Sequence, residues 1–253
     1  MKALILAGRQ TDGPLSHINP NKGLINIGKK QMILYVIEAA KAIKEVDEIA
    51  LVGNKEDLLP LARYVDAVVE EGGSLPQNVL LGAAHFDDDD EVLVLTSDIP
   101  MITPEAIQDF AAQSRGLGAD FTYPIVRREV NDRKYPGVAR TYVKIKDGSF
   151  TGGNIFLVKA GAIKTCMPKA QIFLSYRKKP WKMVRVLGIS FALKFLLGTL
   201  TIAHLEKRVS ELFGVKAKAV ISEYPEIGTD VDKPSDLDLA ISLLETDNSK
   251  PVE

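Results

Sequence analysis

The chain of 253 residues contains a single cysteine, a single tryptophan and almost no net charge. One cysteine, Cys166, can neither close an intramolecular disulfide nor build a thiolate metal site, which fits a reducing cytoplasm, and the residue itself reads as a small buried apolar group. Long apolar runs are also missing. Met183 to Leu205 comes nearest, but Arg185, Lys194 and His204 interrupt it, whereas a spanning helix needs about 20 mostly apolar residues. The run after Met1 and Lys2 stops at Gly8, too short for a secretory leader, and reads as a strand. Neither the phosphate loop G-x-x-x-x-G-K-[ST] nor the dinucleotide fingerprint G-x-G-x-x-G follows it. With 46% hydrophobic and 26% charged residues, disorder and a small stapled scaffold are excluded. The length suits a single domain, 1–253, enlarged by an insertion.

The net charge of −1 conceals a division. Lys159 to Leu205 carries nine basic residues and no acid, so the remaining 206 residues hold 23 basic against 33 acidic, a balance of −10. Such asymmetry points to an anionic partner for the basic segment: a membrane surface, a phosphorylated substrate or nucleic acid.

Apolar runs alternate with helical patterns over the first half, the pattern of βαβ units on a mainly parallel sheet. Strands are predicted at 3–8, 49–53, 67–69 and 91–98. Helices are predicted at 32–43, at about 55–64, from Pro76 to about Phe86, and after the Thr103-Pro104-Glu105 start signal. Asp87 to Glu91 reads as a solvated loop. Beyond residue 118, alternation in ADFTYPIV and VARTYVKIKDG suggests antiparallel additions, with a turn at 146–148. Phe156 to Val158 continues as a strand, and a helix from Ala160 is expected to stop at Pro168. Residues 169–205 read as helical with breaks at Pro180 and Gly198, 202–213 as a further helix, 217–222 as a strand, and Pro234 as the start of a final amphipathic helix.

In open parallel sheets the site lies beyond the carboxyl ends of the strands. There the first strand delivers Ala7, Gly8 and a long loop ending in Asn19-Pro20-Asn21-Lys22-Gly23, whose ammonium could neutralise a phosphate. The fourth ends in Thr96-Ser97-Asp98, a carboxylate on a very apolar strand that calls for a compensating cation. Mg²⁺ is the natural one, since it takes one or two carboxylates together with substrate phosphates; a turn or cap aspartate is the bland alternative. Gly228-Thr229-Asp230-Val231-Asp232 offers two more acids, which point the same way if extended. Asp232 could equally cap the helix at Pro234.

The ordered motifs LILAG, NKGLINIGKKQMILYVIEA, VLVLTSDIPMI and TDVDKPSDLDLA resemble those of the MobA-like nucleotidyltransferases. These attach GMP or CMP to phosphorylated molybdopterin and have sugar, alditol and isoprenoid relatives. The resemblance implies a three-layer α/β/α Rossmann-like (GT-A-type) fold with a mostly parallel mixed sheet. It also implies Mg²⁺-dependent transfer of a nucleoside monophosphate, from CTP or GTP by preference, to a phosphorylated acceptor, with release of pyrophosphate and no nucleic-acid partner. Lys22 then matches the phosphate-contacting lysine and Asp98 the metal-binding aspartate. Asp230, with Asp232 beside it, matches the second metal position. Ala7, Gly8 and Arg9 open the nucleotide loop, and Gly73, Ser74 and Asn78 fall where relatives contact base and ribose. Where relatives continue with more glycine, this chain has Arg9-Gln10-Thr11-Asp12-Gly13.

An acceptor side at about 119–158 would use Gly153 and Asn154, with Arg127, Arg128, Arg133, Lys134 and Arg140 as phosphate-binding cations. The insertion, about 169–213, joins the basic cluster Lys178-Lys179-Pro180-Trp181-Lys182 to the apolar ISFALKFLLG. All-round apolar helices are ordinarily buried, so burial against the core or a second subunit is the first expectation. Peripheral contact of 177–205 with the anionic inner face of a membrane, or a groove for a lipid-like acceptor, is the alternative. Two other functions fit the residues: a glycosyltransferase, although only the last acid of its D-x-D pair is here, and a noncatalytic nucleotide-binding or membrane-docking module.

Overall fold

The computed structural model describes residues 1–176 and 186–247; the basic cluster at 177–185 lies outside them. Four continuous apolar strands, β1 (Lys2–Ala7), β4 (Glu48–Gly53), β5 (Ala67–Glu70) and β6 (Glu91–Thr96), lie parallel in the order β5-β4-β1-β6. Buried on both faces, they need no polar alternation. One face carries α1 (Met32–Lys41) and α4 (Pro104–Gly116) over Ile5, Leu51 and Leu93; the other carries α3 (Leu75–Ala83) and α6 (Ala160–Tyr176) over Leu4, Val52 and Val94. The result is a three-layer α/β/α arrangement on a mixed nine-stranded sheet. A hairpin of β2 (Asn26–Ile27) and β3 (Lys30–Gln31) precedes α1, and α2 (Lys55–Leu58) follows β4.

Beyond β6 the sheet reverses. β10 (Ile155–Lys159) is antiparallel to β6 and to β7 (Phe121–Arg127), and β9 (Gly148–Gly152) pairs with β7 and with β8 (Val143–Ile145). Between β9 and β10, Gly153 and Asn154 form a bulge: the register sum against β7 shifts by two residues, and Gly153 N–H donates to the Pro124 carbonyl at 3.0 Å. β11 (Ala217–Ser222) is parallel to β7 on its other edge. α7 (Ile189–Leu196), α8 (Ile202–Phe213) and α9 (Pro234–Asp247) complete the order. Thr201 and His204 cap α8 reciprocally.

Three local readings change. α6 runs through Pro168 to Tyr176, because packing on α3 and α8 outweighs the local helix-breaking tendency of proline. The acidic run is no free loop: the carbonyls of Asp88 and Asp90 accept the Gly161 and Ala160 N–H groups, and the Asp88 carboxylate pairs with Lys164, fixing the start of α6. Polar α5 (Arg128–Lys134) stands where only strands were expected.

The expected break falls at Gly198, in the left-handed region at φ 66°. α7, however, contains no buried residue, and Ile189, Leu196 and Leu197 are 73%, 79% and 74% exposed. Within the described chain it is not a core helix. No helix among the described residues is long and apolar enough to cross a membrane.

Candidate active site

Strand β6 ends at Thr96, and the Ser97 N–H continues the ladder onto the Leu6 carbonyl at 3.0 Å, so Asp98 emerges at the carboxyl edge of the sheet. Across from it, Asn21 is fully buried and donates from Nδ2 to the Ala7 carbonyl at 2.8 Å, anchoring the long loop to the end of β1. Lys22 follows in a short 3-10 turn whose Gly23 lies against Ser97; a Cβ there would come within 2.8 Å of Ser97 Oγ. This close approach aims the ammonium at Asp98, with Lys22 Nζ 2.7 Å from Oδ2, and also pairs it with Asp232.

The acids arriving from the carboxyl-terminal side are tied down through the backbone. Val231 N–H donates to the Asp98 carbonyl at 2.8 Å, and its side chain is fully buried with Leu15, Ile27 and Met32. Period-two alternation then leaves Asp230 and Asp232 beside Asp98. One carboxylate oxygen from each of the three lies within 4.8 Å of the others. Asp236 accepts from the N–H groups of Asp232 and Lys233, holding that segment at the start of α9.

Three acids so close must be compensated. Burial pushes the Asp230 carboxyl up to about 6, and the charges of Asp98 and Asp232 add to this against Arg140, which pairs with it. Burial opposes ionisation of Asp232 too, but Lys22 outweighs it and holds that carboxyl below its ordinary range. For Lys22, burial lowers the pKa and the two acids more than reverse that. Asp98 Oδ1 is buried without a hydrogen-bond partner. An orphaned buried oxygen, two neighbouring carboxylates and oxygen-only donors fit a hard divalent cation such as Mg²⁺.

Gly8 sits where a Cβ would meet Asn78 Nδ2 at 2.7 Å and Glu71 Oε2 at 3.1 Å, so the first loop and α3 converge. Asn78 Oδ1 accepts the Gly72 N–H at 2.8 Å, Gly73 adopts φ 79°, and Ser74 caps α3 by accepting from Gln77. The Arg9 guanidinium is held elsewhere, by Asp57 at 2.7 and 2.8 Å and by Asn54.

The acceptor-side cations are largely committed within the protein. Arg140 pairs with Asp230, Lys134 with buried Glu226 and Arg128 with Asp132, and Arg127 lies over the Phe150 ring. Gly153 spends both peptide groups, accepting from Tyr123 Oη at 2.8 Å as well as donating to Pro124. Asn154 uses its backbone toward Thr96 and Ile227. Sequence reasoning passed over Asn21, Glu71 and Glu226, whose burial or partners depend on distant segments. For Asn21 a signal existed, since it immediately precedes Lys22.

A parallel sheet bearing a lysine and convergent aspartates at its carboxyl edge, beside a glycine-opened loop, defines a nucleoside triphosphate transferase of the α/β class. Residues 3–173 match the MobA-like NTP transferase domain, and the chain belongs to that family of nucleotidyltransferases. It is 33% identical over 94 residues to a probable molybdenum cofactor guanylyltransferase of Thermococcus kodakarensis, a stretch covering 37% of this chain and 45% of that relative. A hypothetical transferase from Thermus thermophilus is similar over 93% of this chain and 98% of its own, at 32% identity and a TM-score of 0.82. At 15% identity the fold is shared with CMP:2-keto-3-deoxy-manno-octonic acid synthetase in its complex with CTP, over 98% of this chain and 100% of the other, with a TM-score of 0.62. It is shared equally with 4-diphosphocytidyl-2C-methyl-D-erythritol synthase of Anaerococcus prevotii, over 96% and 97%, with a TM-score of 0.60.

Proposed function

We propose that the protein transfers a nucleoside monophosphate from CTP or GTP to a phosphorylated acceptor, releasing pyrophosphate, with Mg²⁺. The observation that carries this reading is the convergence of Asp98, Asp230 and Asp232 on Lys22 at the carboxyl edge of the sheet. In the reaction an acceptor phosphate oxygen bonds to the α-phosphorus while the bond to the bridging oxygen of the departing pyrophosphate breaks. Such chemistry asks the protein chiefly for positioning and charge neutralisation. No general base is required, because the attacking oxygen is already anionic.

Asp98 and Asp230, with Asp232 beside them, would hold the metal, which supplies Lewis-acid stabilisation of the charge on the phosphates. Lys22, freed from the acids, neutralises the triphosphate. Ala7 and Gly8 let it approach the main chain, and Gly73, Ser74 and Asn78 face base and ribose. Arg9 joins only by leaving Asp57. The acceptor lies along 119–158, against Asn154 and the Gly153 bulge, where Arg140 moves from Asp230 to the incoming phosphate. On this reading 1–253 is one catalytic domain, 169–213 is its insertion, and the enzyme works in the cytoplasm with 177–205 on the inner face of the membrane.

The test is pyrophosphate release from each NTP with a panel of phosphorylated acceptors, with and without Mg²⁺. Release with CTP or GTP that needs both acceptor and metal is expected. Turnover of sugar nucleotides would instead identify a glycosyltransferase, and silence with every acceptor a noncatalytic module.

A further inference from the structure

The layer between the sheet and helices α3, α6 and α8 is not filled. It encloses a cavity of about 630 Å³ among the described residues. Its walls are apolar: Phe121, Ile125 and Phe156 from the sheet face Leu205, Val209 and Phe213 from α8. The α8 residues recur every fourth position, a stripe that ordinarily packs tightly on a core. Here they are only half-buried, because they border open space. Glu206 and Lys218, the charged wall residues, bond each other at 2.7 Å, leaving no ionic demand on the interior.

Protein interiors seldom tolerate voids larger than a water molecule. A volume of this size lies in the range of ligand pockets, roughly 300–1,000 Å³, and apolar cavities stay dry and take apolar guests.

One end of the cavity meets the candidate active site. Thr96, two residues before Asp98, lies in its wall and has a buried hydroxyl with no hydrogen-bond partner. Gly152 is in the wall as well, and Gly228, the second residue before Asp230, lies so close that a Cβ on it would come within 3.1 Å of the Gly152 carbonyl oxygen. Asn154 also lines this end.

We infer that this cavity receives the hydrocarbon chain of an amphiphilic acceptor whose phosphate projects past Thr96 and Asn154 to the aspartate cluster. The inference rests on the nucleotidyl-transfer reading for the fate of the phosphate and on the cavity alone for the chain. The product is the nucleoside diphosphate ester of the amphiphile: its phosphate oxygen bonds the α-phosphorus, and pyrophosphate leaves with the bridging oxygen.

Calorimetric titration of the full chain with butyl, octyl and dodecyl phosphate below their aggregation limits, with and without Mg²⁺ and CTP, tests the chain site directly. Affinity rises at least tenfold from butyl to dodecyl, and Val209→Trp, which fills the cavity, flattens that dependence while leaving CTP binding unchanged. If Val209→Trp does not fold, Leu205→Gln reads the same effect by making the wall polar. No chain-length dependence in the natural protein, or equal dependence in a folded cavity variant, overturns the inference. Pyrophosphate release tells the two readings apart. Chain-dependent binding without release from any NTP sinks the transfer reading and keeps the cavity. Release with short phosphate esters and no gain from longer chains does the reverse.

Discussion

Asp98 was legible because a continuous apolar strand ending in a carboxylate leaves that charge at the sheet edge, whatever the rest of the chain does. Its Oδ1 has no partner in the protein, while Oδ2 is paired with Lys22. Asp98→Asn keeps the shape and removes the charge. Mg²⁺-dependent pyrophosphate release is therefore expected to fall on the order of 10²–10³-fold, the scale of losing one charge-stabilising group, with an unchanged circular dichroism spectrum. Full activity in the folded variant would remove Asp98 from the metal site. Asp230 adds a pH signature. Its carboxyl lies at about 6 against an ordinary 3.8, so the metal-free folded protein takes up a proton there between those values. The stability that this proton confers is complete below the lower value and lost as pH rises through the upper one. A metal must displace the same proton, so Mg²⁺ should raise the melting temperature more at about pH 7.5 than at about pH 5. Equal shifts at both pH values would show that Asp230 does not ligate the ion. Arg140 was legible only as a cation: its pairing with Asp230 rather than with solvent depends on a fold that joins residues 90 positions apart.

Elements whose own residues decide their structure read correctly, as the β-branched run of β6 and the Thr103-capped α4 illustrate. Those decided by remote packing did not. The polar α5 has no apolar periodicity to betray it, and α6 passes Pro168 because α3 and α8 hold it from outside. The bulge between β9 and β10 is the element on which the site turns, since it re-aims the chain from β8 toward β6 and places Asn154 against Thr96 and Ile227. Its glycine is required by space: a Cβ on Gly153 would meet Pro124 Cγ at 2.6 Å and Ile227 Cγ2 at 2.7 Å. Backbone or side chains must yield, so Gly153→Ala should cost about 1–3 kcal/mol of stability, as overpacking does. Denaturant unfolding measures this directly. A neutral substitution would mean that the bulge relaxes freely and does not fix the 227–230 loop.

At the scale of the whole molecule, the near-zero net charge is the sum of an acidic catalytic body and a stretch from Lys159 to Leu205 with nine cations and no acid. The structure adds that α7, at the end of this stretch, turns Ile189, Leu193, Leu196 and Leu197 outward, contrary to the burial an apolar helix suggests. Exposed apolar area next to unbalanced positive charge has two complementary partners in an anionic bilayer, the acyl boundary and the headgroups. The two contributions separate by experiment, since salt screens the charge and leaves the apolar term. The chain should sediment with vesicles containing anionic lipid at low salt, bind much less at high salt, and ignore zwitterionic vesicles. Leu196→Glu together with Leu197→Glu should abolish sedimentation while changing stability little, because exposed positions carry little folding energy. Retention of the double variant would assign binding to charge alone. Failure of the natural protein to sediment with anionic vesicles at low salt would leave the exposed face of α7 to a protein partner instead.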